Sequence, residues 1–255
     1  MNCPEFAEWA RETSAVVYHR GSTDPTKHGC SGVLLNNTRQ DGAPLVLMAR
    51  HCAQGRWPGQ RIDNWMFYFG RKSPSCNAQV SRLTGPCTLG NQCLQGATIV
   101  AATPGARAPG ESDFFLVRLD HRIPESFNVY YAGWAVDGYE SESVVTMGFP
   151  QALPMVITTG EFGSGVERSC GMGNSMLRIP VDRGQLVIGQ SGSPVFDDRH
   201  YVRGVIRTGA GCNHPTSSCA VDLQYNWTRG DHGYRLVDHL AEGDPSVRRL
   251  RGRAQ

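Results

Sequence analysis

No stretch of this 255-residue chain approaches the roughly 18–20 consecutive apolar residues of a membrane-spanning helix, which excludes a helical span within it. Charge of one sign is also lacking. Lys+Arg 25 against Asp+Glu 23 leaves a formal net charge of +2, so there is no broad electrostatic footprint for nucleic acid or an anionic membrane, and neither is expected as a partner. Internal repeats and low-complexity segments are missing, which removes solenoids and arrays. The opening Met1-Asn2-Cys3-Pro4 has neither the charged start nor the apolar core of a signal peptide, so any export signal is expected to have been removed. The one cluster of like charge is Arg248, Arg249, Arg251 and Arg253, which reads as a solvated tail over 244–255 or a linker to something removed.

Cysteine, in contrast, is plentiful. Nine cysteines are scattered along the chain with no paired Cys-x-x-Cys knuckles, a usage that favours disulfides and an oxidising, secreted setting over zinc. The odd count leaves one thiol over, and an upstream cysteine is a natural candidate for its missing partner. No metal-ligand spacing is present, and a chain of this length needs no metal to stabilise a core.

Short runs rich in β-branched and aromatic residues recur between Gly, Pro, Asn and Asp clusters, at 15–18, 33–35, 44–48, 65–69, 114–119, 144–149 and 202–206. This pattern predicts an all-β fold. A helix is expected near the end, over 234–241, where Leu236, Val237 and Leu240 share one face and Gly243 supplies a stop; 5–12 is a weaker candidate. The Pro- and Gly-containing stretch 103–112 reads as a long loop and as the crossing between two barrels, giving lobes of about 1–108 and 109–243.

Three segments carry chemistry. In Gly189-Gln190-Ser191-Gly192-Ser193-Pro194 a serine sits among glycines ahead of a strand, where its hydroxyl can be exposed and main-chain N–H groups, those of Gly189 and Ser191, can face a developing oxyanion. A serine hydroxyl needs a base, and His51 follows an apolar strand and precedes Cys52, which can staple its loop. The base needs an acceptor to hold its tautomer, and Asp113 stands at the edge of the apolar run Phe114-Phe115-Leu116-Val117. Each segment alone has an ordinary structural reading: a turn, a structural histidine, an exposed strand-end carboxylate. Together, in the order His, Asp, Ser, they point to acyl transfer on a peptide chain, which requires no metal or organic cofactor.

With these motifs the chain resembles the chymotrypsin-like serine peptidases, and most closely the bacterial lysyl endopeptidases. The resemblance runs through Cys3-Pro4, Cys30-Ser31-Gly32-Val33-Leu34-Leu35-Asn36-Asn37-Thr38, His51-Cys52, Asp113-Phe114, Phe127-Asn128, Ala132-Gly133-Trp134 and Gly189 to Pro194. It implies two packed six-stranded β-barrels of trypsin-like type with a C-terminal helix, acting as a monomer. It also implies bridges from Cys30 to Cys52 and from Cys3 to Cys76, with Cys87 and Cys93 as a local pair. Among Cys170, Cys212 and Cys219 the pairing stays open.

Departures from the pattern bear on regulation and specificity. Gln190 stands where many animal relatives carry Asp, and a neutral amide cannot pair with a freshly cut N-terminus, so activation by that ion pair is not expected. Met48 replaces a usual Thr, with no loss of a catalytic atom. The trypsin specificity position is Gln185. An acid for a basic substrate side chain is therefore sought at Asp222, ahead of an expected final strand over 223–227, with Asp231 as the fallback. Arg207 takes the place of a His in the lysyl enzymes and Thr208 that of a Gly at the pocket entrance. Cleavage after Lys or Arg is expected, with a glutamyl-endopeptidase-like preference, an inactive protease-fold binding domain and an unrelated β-sandwich as alternatives.

Overall fold

The computed structural model describes residues 3–21, 29–53, 56, 59–76, 78, 82, 86–103, 112–138, 143–162, 176–208, 217–228, 230–231 and 234–255. Strands β1 (Val16–Arg20), β2 (Cys30–Leu35), β3 (Leu45–Ala49), β4 (Arg61–Tyr68), β5 (Cys93–Ala102) and β6 (Phe114–Leu119) close a first barrel in the order β1-β2-β3-β6-β5-β4. Two short strands, β7 (Tyr130–Tyr131) and β8 (Trp134–Ala135), lead to the second barrel. It comprises β9 (Ser143–Gly148), β10 (Val156–Glu161), β11 (Met176–Arg183), β12 (Pro194–Asp197), β13 (Val202–Thr208) and β14 (Ser217–Asp222). These run β12-β9-β10-β11-β14-β13, and β13 pairs back onto β12 to close the ring. The chain ends with helix α1 (Leu223–Asn226), a hairpin of β15 (Gly230–Asp231) and β16 (Tyr234–Arg235), helix α2 (Leu236–Leu240), and strands β17 (Arg249–Leu250) and β18 (Arg253–Ala254).

Why the first-barrel strands read as unbroken apolar runs follows from the side-chain period of two. On β3, Val46 and Met48 point into one core with Leu34, Phe67, Phe115 and Val117, while Leu45 and Leu47 point into another with Val33, Leu35, Phe114 and Leu116. The second of these cores also takes Trp134, Met147, Phe149 and Phe196, so it lies between the barrels. A third cluster, with Val144, Leu177, Ile179, Val195, Ile206 and Ala220, fills the second barrel. Strands buried on both faces gain apolar burial from every residue, at ~25 cal/mol per Å² removed from water.

Several expectations are corrected. The loop expected over 103–112 lies mostly outside the described residues, but β5 and β6 on either side of it both belong to the first barrel, so the lobe boundary expected at 108 moves past Leu119. Residues 223–227 form no strand. Asp222 caps a helical turn there, its side chain accepting from Gln224 N–H at 2.8 Å. The late helix begins at Leu236, with Tyr234–Arg235 extended, and the early candidate is two 3-10 turns, Pro4–Trp9 and Glu12–Ser14. The basic ending is not loose: Arg249 and Leu250 pair with Ala135 and Trp134, and Arg253 and Ala254 with Tyr131 and Tyr130. Asp137 anchors it. Burial alone raises this carboxyl, but hydrogen bonds from Arg203 and Arg249 outweigh that and hold it below the usual carboxylate range.

Candidate active site

The register of β3 against β6 brings the acid to the base. Ala49 pairs with Phe114, so the residues just beyond, Arg50 and His51 on one side and Asp113 on the other, leave the barrel at the same edge. Arg50 N–H donates to Asp113 O at 2.7 Å, and a 3-10 turn over Arg50–Ala53 then carries His51. His51 N–H donates to Asp113 Oδ1 and His51 Nδ1 lies on Asp113 Oδ2, both at 2.7 Å. Asp113 is 0% exposed. An ionised carboxylate only accepts, so the Nδ1 proton sits on the Asp113 side and Nε2 is left for another partner.

The serine turn is held by main-chain bonds that cross the barrels. Ser31 on β2 donates its N–H to Ser191 O at 2.7 Å and its hydroxyl to Gly189 O at 3.0 Å, while that hydroxyl accepts Phe149 N–H at 3.0 Å. The carbonyl of Ile188 takes Gln151 N–H at 2.8 Å and that of Gln190 takes Ser193 N–H at 3.0 Å. In a trans peptide N–H and C=O point opposite ways, so fixing these two carbonyls aims the N–H groups of Gly189 and Ser191 away from them. Among the described residues neither N–H has an acceptor.

Glycine is required at both flanks. Gly189 has φ +98°, and a Cβ there would meet Phe149 O at 2.6 Å; Gly192 has φ +84°, and its Cβ would meet Ser31 O at 2.1 Å. Gln190 is fully buried, its Oε1 accepting Val187 N–H at 2.8 Å within the turn. It ties the turn to itself.

His51, Gly189 and Ser191 line one cleft of about 460 Å³, together with His19, Arg20, Cys30, Cys52, Arg56, Trp65 and the exposed Ile188. The Cys30–Cys52 disulfide walls it beside the histidine. Further disulfides join Cys3 with Cys76 and Cys87 with Cys93; Cys219 is disulfide-bonded as well, and Cys170 and Cys212 lie outside the described residues. Ser112, next to Asp113, is the other serine near the pair, but it is buried at 5% exposure. Among the described residues, two groups of His, Cys and Glu have metal-ligand proximity, and both use disulfide sulfurs, which are committed to their bridges.

Ser191 Oγ donates to Arg207 O at 3.4 Å, and among the described residues no hydrogen bond joins it to His51. Arg207 itself turns toward the acid: its Nε lies 3.5 Å from Asp113 Oδ2. Nothing in the sequence signalled that contact or the grip of Ser31 on the serine turn, since both pairs are far apart in the chain.

The other residues expected to bear on specificity are placed as follows. Asp222 is 0% exposed at the α1 cap and does not line the cleft, and Gln185 is exposed with its carbonyl taking the Thr158 hydroxyl at 3.2 Å. Thr208 ends β13, its backbone paired with Cys219, and Asp231 pairs with Tyr234 in the small hairpin.

Two closed antiparallel six-stranded barrels, with a His–Asp pair at the edge of one and a glycine-framed serine turn on the other, are the fold of the chymotrypsin-like serine proteases. Residues 1–224 match the family described as "Lysyl endopeptidase, C-terminal domain", and the chain belongs to that family. Solved structures share the fold. An inactive serine-to-alanine form of Rv3671c from M. tuberculosis H37Rv superposes with a TM-score of 0.51 at 16% identity, over 85% of this chain and 84% of that one. A serine endoprotease from Yersinia pestis gives 0.56 at 13% identity, over 85% and 61%. The HtrA-type protease AlgW with tripeptide gives 0.55 at 14%, over 85% and 59%, so the chain spans about three fifths of these last two.

Proposed function

We propose that the chain is a secreted serine endopeptidase in which Ser191 is the nucleophile, His51 the general base and Asp113 the acid that orients it. The observation that carries this reading is the pair of unspent N–H groups, on Gly189 and Ser191, in the same cleft as His51. Donors fixed before the reaction stabilise an oxyanion without reorganising, which is often the largest catalytic contribution. His51 Nε2 takes the Ser191 proton as Oγ bonds to the scissile carbonyl carbon, and the negative charge moves onto the carbonyl oxygen. His51 returns that proton to the leaving amine as the C–N bond breaks, and water, activated the same way, releases the acyl group. Ser112 is too buried for this role.

Preference for a basic side chain, Lys or Arg, rests on the family membership, with Asp222, fully buried and giving its Oδ1 to the helix cap, as the carboxylate proposed to receive it. The glutamyl alternative drew on Arg207, whose guanidinium lies against Asp113 instead. The fitting test is mass spectrometry of new peptide termini in a denatured protein mixture, with Ser191→Ala as control. New termini following Lys or Arg support the reading. A Glu-dominated profile overturns the basic preference, and no termini beyond the control overturn the enzyme.

A further inference from the structure

Arg207 is an anomaly in the ladder of the second barrel. Ile206 pairs with Ala220 and Thr208 with Cys219, so β13 holds one more residue than β14 over this span, and Arg207 is the bulged one. A bulge releases main-chain groups from the ladder and re-aims the side chain. Both effects face the catalytic groups: the Arg207 carbonyl receives the Ser191 hydroxyl at 3.4 Å, and the guanidinium, 10% exposed, reaches Asp113 at 3.5 Å.

The electrostatic setting makes that contact consequential. Asp113 is 0% exposed, and a buried carboxylate is costly unless an opposite charge accompanies it. A neutral imidazole beside it brings none. Other charged or titratable groups are near: Arg50 Nε donates to Thr103 O at 3.1 Å with its guanidinium over the Phe115 ring, and His19, Arg20 and Arg56 line the cleft with His51. Among the described residues, Arg207 is the arginine paired with Asp113.

We propose that Arg207 is a positioning residue for the catalytic acid, holding Asp113 ionised and opposing proton uptake by the Asp113–His51 pair, so that the working form persists to lower pH. This rests on the triad reading given above. The hydrogen bonds from His51 already fix the orientation of the carboxylate; what Arg207 adds is charge. The same positive charge weakens the attraction between Asp113 and the imidazolium formed during catalysis, so the gain in acid tolerance is set against turnover.

The test is the pH profile of kcat/KM on a peptide substrate for the wild-type protein, Arg207→Lys, Arg207→Met and Arg207→Gln, each scaled to its own plateau. Removing the charge is expected to move the acid limb upward by about one pH unit in the Met and Gln variants, a roughly tenfold relative loss on that limb. The Lys variant keeps the limb near its wild-type position. An acid limb that stays put in Met and Gln overturns the proposal, whatever happens to the plateau, because a merely structural role lowers the plateau alone. Should the Met variant fail to fold, Gln, closer in shape and polar, decides. Phosphonate uptake at Ser191 in the wild type separates the two levels of the argument: if the wild type takes no label, the triad reading itself fails.

Discussion

On the first barrel, His51 and Asp113 stand within two residues of a strand register that ends at Ala49 and Phe114, and in the proposed mechanism side chains supply the chemistry. On the second, Ser191 sits in a turn whose working atoms are largely main-chain, aimed by bonds to Ser31, Gln151 and Ser193. The two halves of one cleft are therefore specified differently. Acid and base need two apolar strands in correct register, whereas the oxyanion site needs backbone angles that only glycine adopts easily, together with partners from the opposite barrel. The second arrangement is sensitive to a single methyl group.

The largest expected effect separates chemistry from orientation on the first barrel. Asp113→Asn keeps the shape but offers an amide where His51 Nδ1–H requires an acceptor, and kcat is expected to fall on the order of 10⁴-fold in steady-state assays. A loss under tenfold would remove Asp113 from the mechanism. Next is the second barrel. Gly189→Ala places a Cβ 2.6 Å from Phe149 O at φ +98°, so the turn must shift. With one oxyanion donor displaced, kcat should drop by about 10²–10³-fold with little change in KM.

The smallest effect sharpens the contrast within the first barrel, between its two histidines near the cleft. His51 has its Nδ1 engaged, while His19 is buried, its ring nitrogens without a partner among the described residues, against Trp65 at 4.1 Å. Burial, helped by the charge of Arg56, pushes the His19 imidazole down to about 3. Its folded value lies below the ordinary unfolded one, so the unfolded chain binds the extra proton. Stability should therefore fall as pH drops from near 6.5 toward 3, by up to about 1.4 kcal/mol per pH unit from this group. Urea unfolding of wild type and His19→Phe across that range checks it; parallel curves would contradict the assignment.

The same contrast explains what was legible in the sequence. First-barrel strands could be read because burial on both faces leaves unbroken apolar runs, and His51 and Asp113 could be read because they follow and precede such runs. The serine turn announced itself by its glycines. Specificity did not. Asp222 sits at a family-like offset from Ser191, but the strand expected after it over 223–227 is a helical turn that Asp222 itself caps. The sequence assigns Arg207 to specificity, but the bulge in β13, a mismatch between strands invisible in either one alone, turns it onto Asp113. The loop 103–112 misled for a similar reason, since which strands a loop joins depends on pairing with β3.

The central claim is that Ser191, and not the buried Ser112, is the activated nucleophile. Its most direct test is a serine-directed phosphonate followed by intact-mass measurement and peptide mapping. The account predicts one adduct, located on Ser191, retained in Ser112→Ala and absent from Ser191→Ala and His51→Ala. An intact, folded protein that takes no label at Ser191 while an active control protease is labelled would contradict it.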